Sequence, residues 1–64
     1  MTERGKTLLS LNREWYWPSE VAIILNINRA TVYRRIESGD IMTILKGRPF
    51  KIMRGEIERI LSQE

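Results

Sequence analysis

Asn26-Ile27-Asn28-Arg29-Ala30-Thr31-Val32-Tyr33-Arg34-Arg35-Ile36-Glu37-Ser38-Gly39 is the stretch whose reading decides the fold. Asn28 is a good N-cap, and Gly39 is a natural residue just past a helix C-terminus. Together they predict a helix from Arg29 to about Ser38. Val32 and Ile36, four apart, face the same way. Ala30 and Arg34 point almost directly away from them. Thr31 and Ser38 flank that outward face, with Tyr33 and Arg35 near its borders. The helix therefore has a narrow stripe to bury and a broad, basic remainder.

Working towards the N-terminus, Pro18 suits a first helical position, because its missing N–H would be unpaired there anyway. Ser19 and Glu20 open that helix. Val21, Ala22 and Leu25 make one apolar face, with Ile24 beside it. Asn26-Ile27-Asn28 ends it, since Asn tolerates the left-handed backbone of a tight turn. Two helices joined by three residues are a helix-turn-helix pattern. Ala22 is small where the second helix must cross closely, and Ile27 is an apolar plug for the turn. On the outward face, arginine can pair with a guanine edge, while Thr31 and Tyr33 hydroxyls reach phosphates or bases. The helix start adds free backbone N–H groups for a phosphate. The plainer alternative is a helical hairpin with a solvated basic face.

Beyond Gly39 the period changes. Ile41-Met42-Thr43-Ile44-Leu45 reads as a strand, Lys46-Gly47-Arg48-Pro49 as a turn, and Phe50-Lys51-Ile52-Met53 as the returning strand. Phe50 and Ile52 fall on one face and Lys51 on the other. The two cations around Gly47 suit a minor groove, which attracts positive side chains. They equally suit an edge guarded against aggregation. Arg54-Gly55 breaks the strand. Glu56 to about Gln63 is a last helix, with Ile57, Ile60 and Leu61 on one face and early acids that favour its N-terminus.

The fourteen residues before Trp15 pattern weakly. They read as a tail, either partly disordered or a short strand over Thr7–Leu11, ahead of a single domain over 15–64. Trp15 and Trp17 are open to two readings: completion of the core, or stacking on unpaired bases.

The 64-residue chain carries a net charge of +3, unevenly placed. Residues 26–55 hold Arg29, Arg34, Arg35, Lys46, Arg48, Lys51 and Arg54 against Glu37 and Asp40, while 56–64 are acidic. A basic middle fits a polyanionic partner. Cysteine and histidine are absent from the sequence. That removes a Cys-based zinc site, disulfides and the commonest general base. No Gly-rich phosphate loop or paired carboxylates stand in for them, so the reading is a non-enzyme without cofactor or metal. No apolar run approaches the ~20 residues a bilayer span needs. A soluble, cytoplasmic, nucleoid-associated protein with no membrane partner is expected.

From Trp15 to about Leu61 the sequence resembles the winged-helix domain of excisionases, which is similar to the DNA-binding domain of MerR-type regulators. The resemblance rests on Ser19-Glu20-Val21-Ala22, Ile27-Asn28-Arg29-Ala30-Thr31-Val32-Tyr33-Arg34 and Ile36-Glu37-Ser38-Gly39. It continues through Gly47-Arg48 and Phe50-Lys51-Ile52 to Arg54, Glu56 and Ile57. It implies an α+β fold, a small winged helix-turn-helix with a C-terminal helix. It also implies DNA contacts from Arg29, Thr31, Tyr33 and Arg34 on the helix and from Lys46, Gly47 and Arg48 on the wing; Asn28, Ala30, Arg35 and Lys51 complete the candidate DNA surface. Three positions depart from the pattern. Trp17 stands where a Thr or Ser cap is frequent, Arg35 where an apolar residue is usual, and Pro49 where a basic residue is common.

The function so implied is sequence-specific binding and bending of double-stranded DNA at an attachment site, promoting integrase-mediated excision of a prophage or integrative element. The partners would be DNA, a site-specific integrase and, cooperatively on DNA, further copies of the chain. A small MerR-like or prophage transcriptional regulator is the alternative within the fold. A packaging or protein-adaptor module is the alternative from another class.

Overall fold

The helix expected from Arg29 to Ser38 forms where its signals place it. In the computed structural model, which describes residues 2–44, 47 and 49–63, six elements follow in chain order. They are α1 (Glu3–Ser10), β1 (Trp15–Tyr16), α2 (Pro18–Leu25), α3 (Arg29–Ser38), β2 (Ile52–Met53) and α4 (Arg54–Ser62). The fold is α+β.

Two Schellman closures end α2 and α3. Asn26 sits at φ 56°; its N–H reaches the Ile23 carbonyl, and the Ile27 N–H reaches Ala22. Gly39 sits at φ 89°; its N–H reaches Ile36, and the Asp40 N–H reaches Arg35. Each left-handed residue turns the chain while satisfying helix-end carbonyls. Between them Ile27 packs half-buried against the core. Pro18 is the first residue of α2, and the Glu20 carboxylate accepts the Trp17 N–H at 2.9 Å.

The core gathers Tyr16, Val21, Ala22, Ile24, Val32, Ile41, Ile52, Ile57 and Ile60. Each fully buried aliphatic side chain contributes about 1.5–3 kcal/mol of transfer free energy. The apolar face of α2 is rotated from its expected position. Ile24, expected beside the face, is fully buried, whereas Leu25 only packs against the edge. Val32 is buried and Ile36 half-buried, as the stripe on α3 requires.

Three expectations need correction. The first concerns 1–14, where a helix stands in place of a tail or strand. The Thr2 hydroxyl caps α1 by accepting the Gly5 N–H at 3.1 Å, and Leu8 and Leu9 pack on the core. Gly5 is buried, and α1 packs against α2.

The second concerns the hairpin. β2 pairs antiparallel with β1, with Trp15 opposite Met53 and Tyr16 opposite Ile52. Residues 41–44 form no strand, and Leu45 lies outside the described residues. The Ile44 N–H does donate to the Lys51 carbonyl at 2.8 Å, so the two limbs run side by side. The Met42 N–H instead turns to the Glu56 carboxylate at 2.7 Å. A side chain of α4 thereby takes a donor that a ladder would have used.

The third concerns α4, which begins at Arg54, so Arg54-Gly55 starts a helix rather than only breaking a strand.

Inward alternation on β1 also settles the aromatics. Tyr16 is fully buried between two tryptophans that are not, because side chains alternate along a strand. Trp15 and Trp17 meet edge to face with ring centres 4.6 Å apart.

Candidate nucleic-acid interface

The Asn28–Gly39 segment buries only Val32 fully, which leaves its polar side chains outward. Asn28, Arg29, Ala30 and Arg34 are exposed; Thr31, Tyr33 and Arg35 are half-buried. Asn28 occupies the N-cap position but makes no side-chain bond to the helix. Its carbonyl accepts the Thr31 and Val32 N–H groups.

Helical geometry divides the arginines. Arg29, Ala30, Tyr33, Arg34 and Glu37 line one shallow trough of about 700 Å³ along α3. Arg35 is turned away from it and borders α4, in a depression shared with Asp40, Ile41, Arg59, Ile60 and Gln63. The structure thus brings together Arg29, Ala30, Tyr33 and Arg34, and places Arg35 elsewhere.

A second groove, of about 470 Å³, adjoins the first. Trp17, Pro18, Ser19, Arg29, Tyr33, Pro49 and Phe50 line it. Phe50, expected on the inner face with Ile52, is half-buried, its ring centre 6.0 Å from that of Tyr33. That contact holds the 49–50 segment against α3. Gly47 is exposed; Lys46 and Arg48, expected at the same tip, lie outside the described residues. Lys51 is half-buried with its ammonium 4.8 Å from the Trp15 ring centre, so its charge is engaged at β1.

Electrostatics separate the arginines further. Arg13 donates to both Glu20 carboxylate oxygens, at 2.7 and 2.6 Å. Burial works to raise the Glu20 pKa. The Arg13 hydrogen bonds, the Trp17 N–H and the Arg13 charge outweigh it and hold the carboxyl below its ordinary range. Arg59 grips Glu56 and donates to the Asp40 carbonyl. That hydrogen bonding, helped by the Met42 N–H and opposed by burial, also holds the Glu56 pKa down. Arg54 bonds Glu58, the Leu9 carbonyl and the Tyr16 hydroxyl. By contrast, no salt bridge among the described residues involves Arg29, Arg34 or Arg35.

The residues that sequence reasoning did not assign to this surface are Trp17, Ser19, Pro49 and Phe50. The available signal was the clustering of aromatics and prolines just outside the two helices, at positions 15–18 and 49–50. Among the described residues, no helix is long and apolar enough to cross a membrane. No family model, curated protein or solved structure matches the chain.

Proposed function

We propose that this protein binds double-stranded DNA as a small winged helix-turn-helix. In this reading α2 and α3 are the helix-turn-helix, α3 enters a major groove, and the segment around Gly47 is the wing beside it. The observation that carries the reading is the state of Arg29 and Arg34. Both are exposed on one trough and outside every salt bridge of the described residues, while Arg13, Arg54 and Arg59 are bound into the scaffold. An unneutralised pair of guanidinium groups on the outward face of a short helix suits phosphates and guanine edges. Ala30 between them leaves room for close approach of the helix to base edges.

The biological role we propose is that of an excisionase, which binds and bends attachment-site DNA for an integrase and cleaves nothing itself. Footprinting on the DNA flanking its own coding region tests both levels. Several adjacent protected sites at a recombination locus are expected. A single protected promoter site would overturn the excisionase role and leave DNA binding standing. No protection at any concentration, with an affinity insensitive to salt, would overturn DNA binding as well, since each neutralised phosphate contributes about 0.9 to the log–log salt slope.

A further inference from the structure

The groove beside the α3 trough shares two walls with it. Arg29 and Tyr33 line both. The two depressions adjoin at these residues, with Glu37, Arg34 and Ala30 on the α3 side and Ser19, Trp17 and Phe50 on the other. The two sides differ in chemistry. The α3 side holds a carboxylate, Glu37, which repels phosphate. The other side holds Arg29 and the exposed Ser19 hydroxyl beside the rings of Trp17 and Phe50.

The groove is open along its length. A small molecule is ordinarily held in a pocket that covers most of its surface. An open groove suits a polymer that enters at one end and leaves at the other. Its lining is mixed: one cation and the hydroxyl-bearing side chains of Ser19 and Tyr33, flanked by the rings of Trp17 and Phe50 and two prolines. A DNA strand has that composition along its edge, with an anionic phosphate followed by an apolar deoxyribose face.

Resting on the DNA-binding reading above, we infer that this groove is a docking site for one strand's sugar–phosphate backbone. Arg29 and Ser19 hold a phosphate, and Trp17 and Phe50 pack against the adjoining deoxyribose. The site fixes where α3 sits along the groove it reads. Arg29 is therefore a backbone-positioning residue, whereas Arg34, further along α3, faces base edges. Trp17 has a binding role rather than a core role. Its helix-capping position at Pro18 places the ring in the groove lining, where a Thr or Ser cap would leave no aromatic wall.

The test uses the full chain and a duplex recovered from random sequence by binding selection. Affinity is measured over a salt series for Arg29→Ala, Trp17→Ala, Ser19→Ala and Arg34→Ala, each checked for folding by circular dichroism. Arg29→Ala is expected to weaken binding about tenfold or more, as for a lost charge-assisted hydrogen bond, and to flatten the salt slope by about 0.9. Trp17→Ala is expected to weaken binding with the slope unchanged, because an apolar contact releases no counterion. Ser19→Ala, an exposed position, reports on the same phosphate should Trp17→Ala fail to fold.

Duplexes carrying one neutral methylphosphonate at a time complete the test. Wild type should lose affinity at one backbone position where Arg29→Ala loses nothing further. The groove assignment is overturned if Arg34→Ala removes sequence preference while Arg29→Ala, Trp17→Ala and Ser19→Ala keep wild-type affinity and slope; DNA binding then survives without it. It is equally overturned if Trp17→Ala impairs binding to single strands alone. If wild type selects no duplex at all, the functional reading fails first, and the four variants will be alike.

Discussion

Arg54 and Arg34 are the same residue type in opposite circumstances. Arg54, at the start of α4, donates to the Leu9 carbonyl at 2.9 Å, to the Tyr16 hydroxyl at 3.1 Å and to Glu58 at 3.0 Å. The Tyr16 hydroxyl in turn donates to the Leu8 carbonyl at 2.8 Å. Two carbonyls at the end of α1 are thus satisfied from the strand pair and the last helix. Arg34, at the middle of α3, is exposed and outside the salt bridges of the described residues. One region uses its cation to close the molecule, and the other leaves its cations exposed. In a chain this small, with little core to rely on, polar fastening of the termini leaves α3 to bury only Val32 fully.

The sharpest way to break the comparison is at Tyr16. Tyr16→Ala should cost about 3–5 kcal/mol, enough to unfold much of a domain of this size, as read by urea denaturation. Tyr16→Phe keeps the ring and removes only the hydroxyl. It should cost about 1–3 kcal/mol and loosen α1 ahead of the rest, visible as faster amide exchange over residues 3–10. If exchange rises equally everywhere, the hydroxyl is not what fastens α1.

At α3 the expected pattern is reversed. Arg34→Ala should weaken specific DNA binding by about 1–3 kcal/mol and relax base preference at one position. Its urea midpoint should move by less than about 0.5 kcal/mol equivalent, since an exposed side chain with no salt bridge among the described residues supports little. A clear loss of stability in this variant would erase the contrast with Arg54. Between the two regions stands Gly39, which no Cβ would crowd but whose φ of 89° side chains rarely adopt. Gly39→Ala should cost about 1–2 kcal/mol of stability from backbone strain alone.

The smallest expected effect is on acid stability. The folded pKa values of Glu20 and Glu56 both lie below the ordinary value. Their ion pairs therefore contribute stability that is fully present above about 4.3, the unfolded value, and is lost as pH falls through the folded values. The stability gap between wild type and Glu20→Gln should shrink between about pH 7 and about pH 3. A constant gap would show that the Arg13–Glu20 pair acts through packing rather than charge.

How much of this was legible depends on how local each cause is. The ends of α3 follow from Asn28 and Gly39, and the start of α2 from Pro18, because capping and φ preferences act within a few residues. The α1 helix was obscured because a glycine inside so short a helix is unfavourable. Its Thr2 cap was readable, but Gly5 makes sense only once it is buried in the packed molecule. The burial of Tyr16 was within reach through strict alternation over Trp15-Tyr16-Trp17. For the candidate surface, Ala30, Tyr33 and Arg34 follow from the helical period and Arg29 from the family resemblance, whereas the Phe50 contact with Tyr33 spans seventeen positions and has no local signature.

By itself, the amino-acid sequence determined the boundaries of α2 and α3, the turn between them and which face of α3 is polar, since those depend on neighbours along the chain. Only the tertiary structure decided that β2 pairs with β1 and that residues 41–44 form no strand beside it. Both outcomes rest on contacts distant in sequence: Tyr16 and Ile52 fill the same buried layer, and the Glu56 carboxylate takes the Met42 N–H. It likewise decided which arginines are fastened and which are free, because an ion pair is set by where distant side chains come to rest.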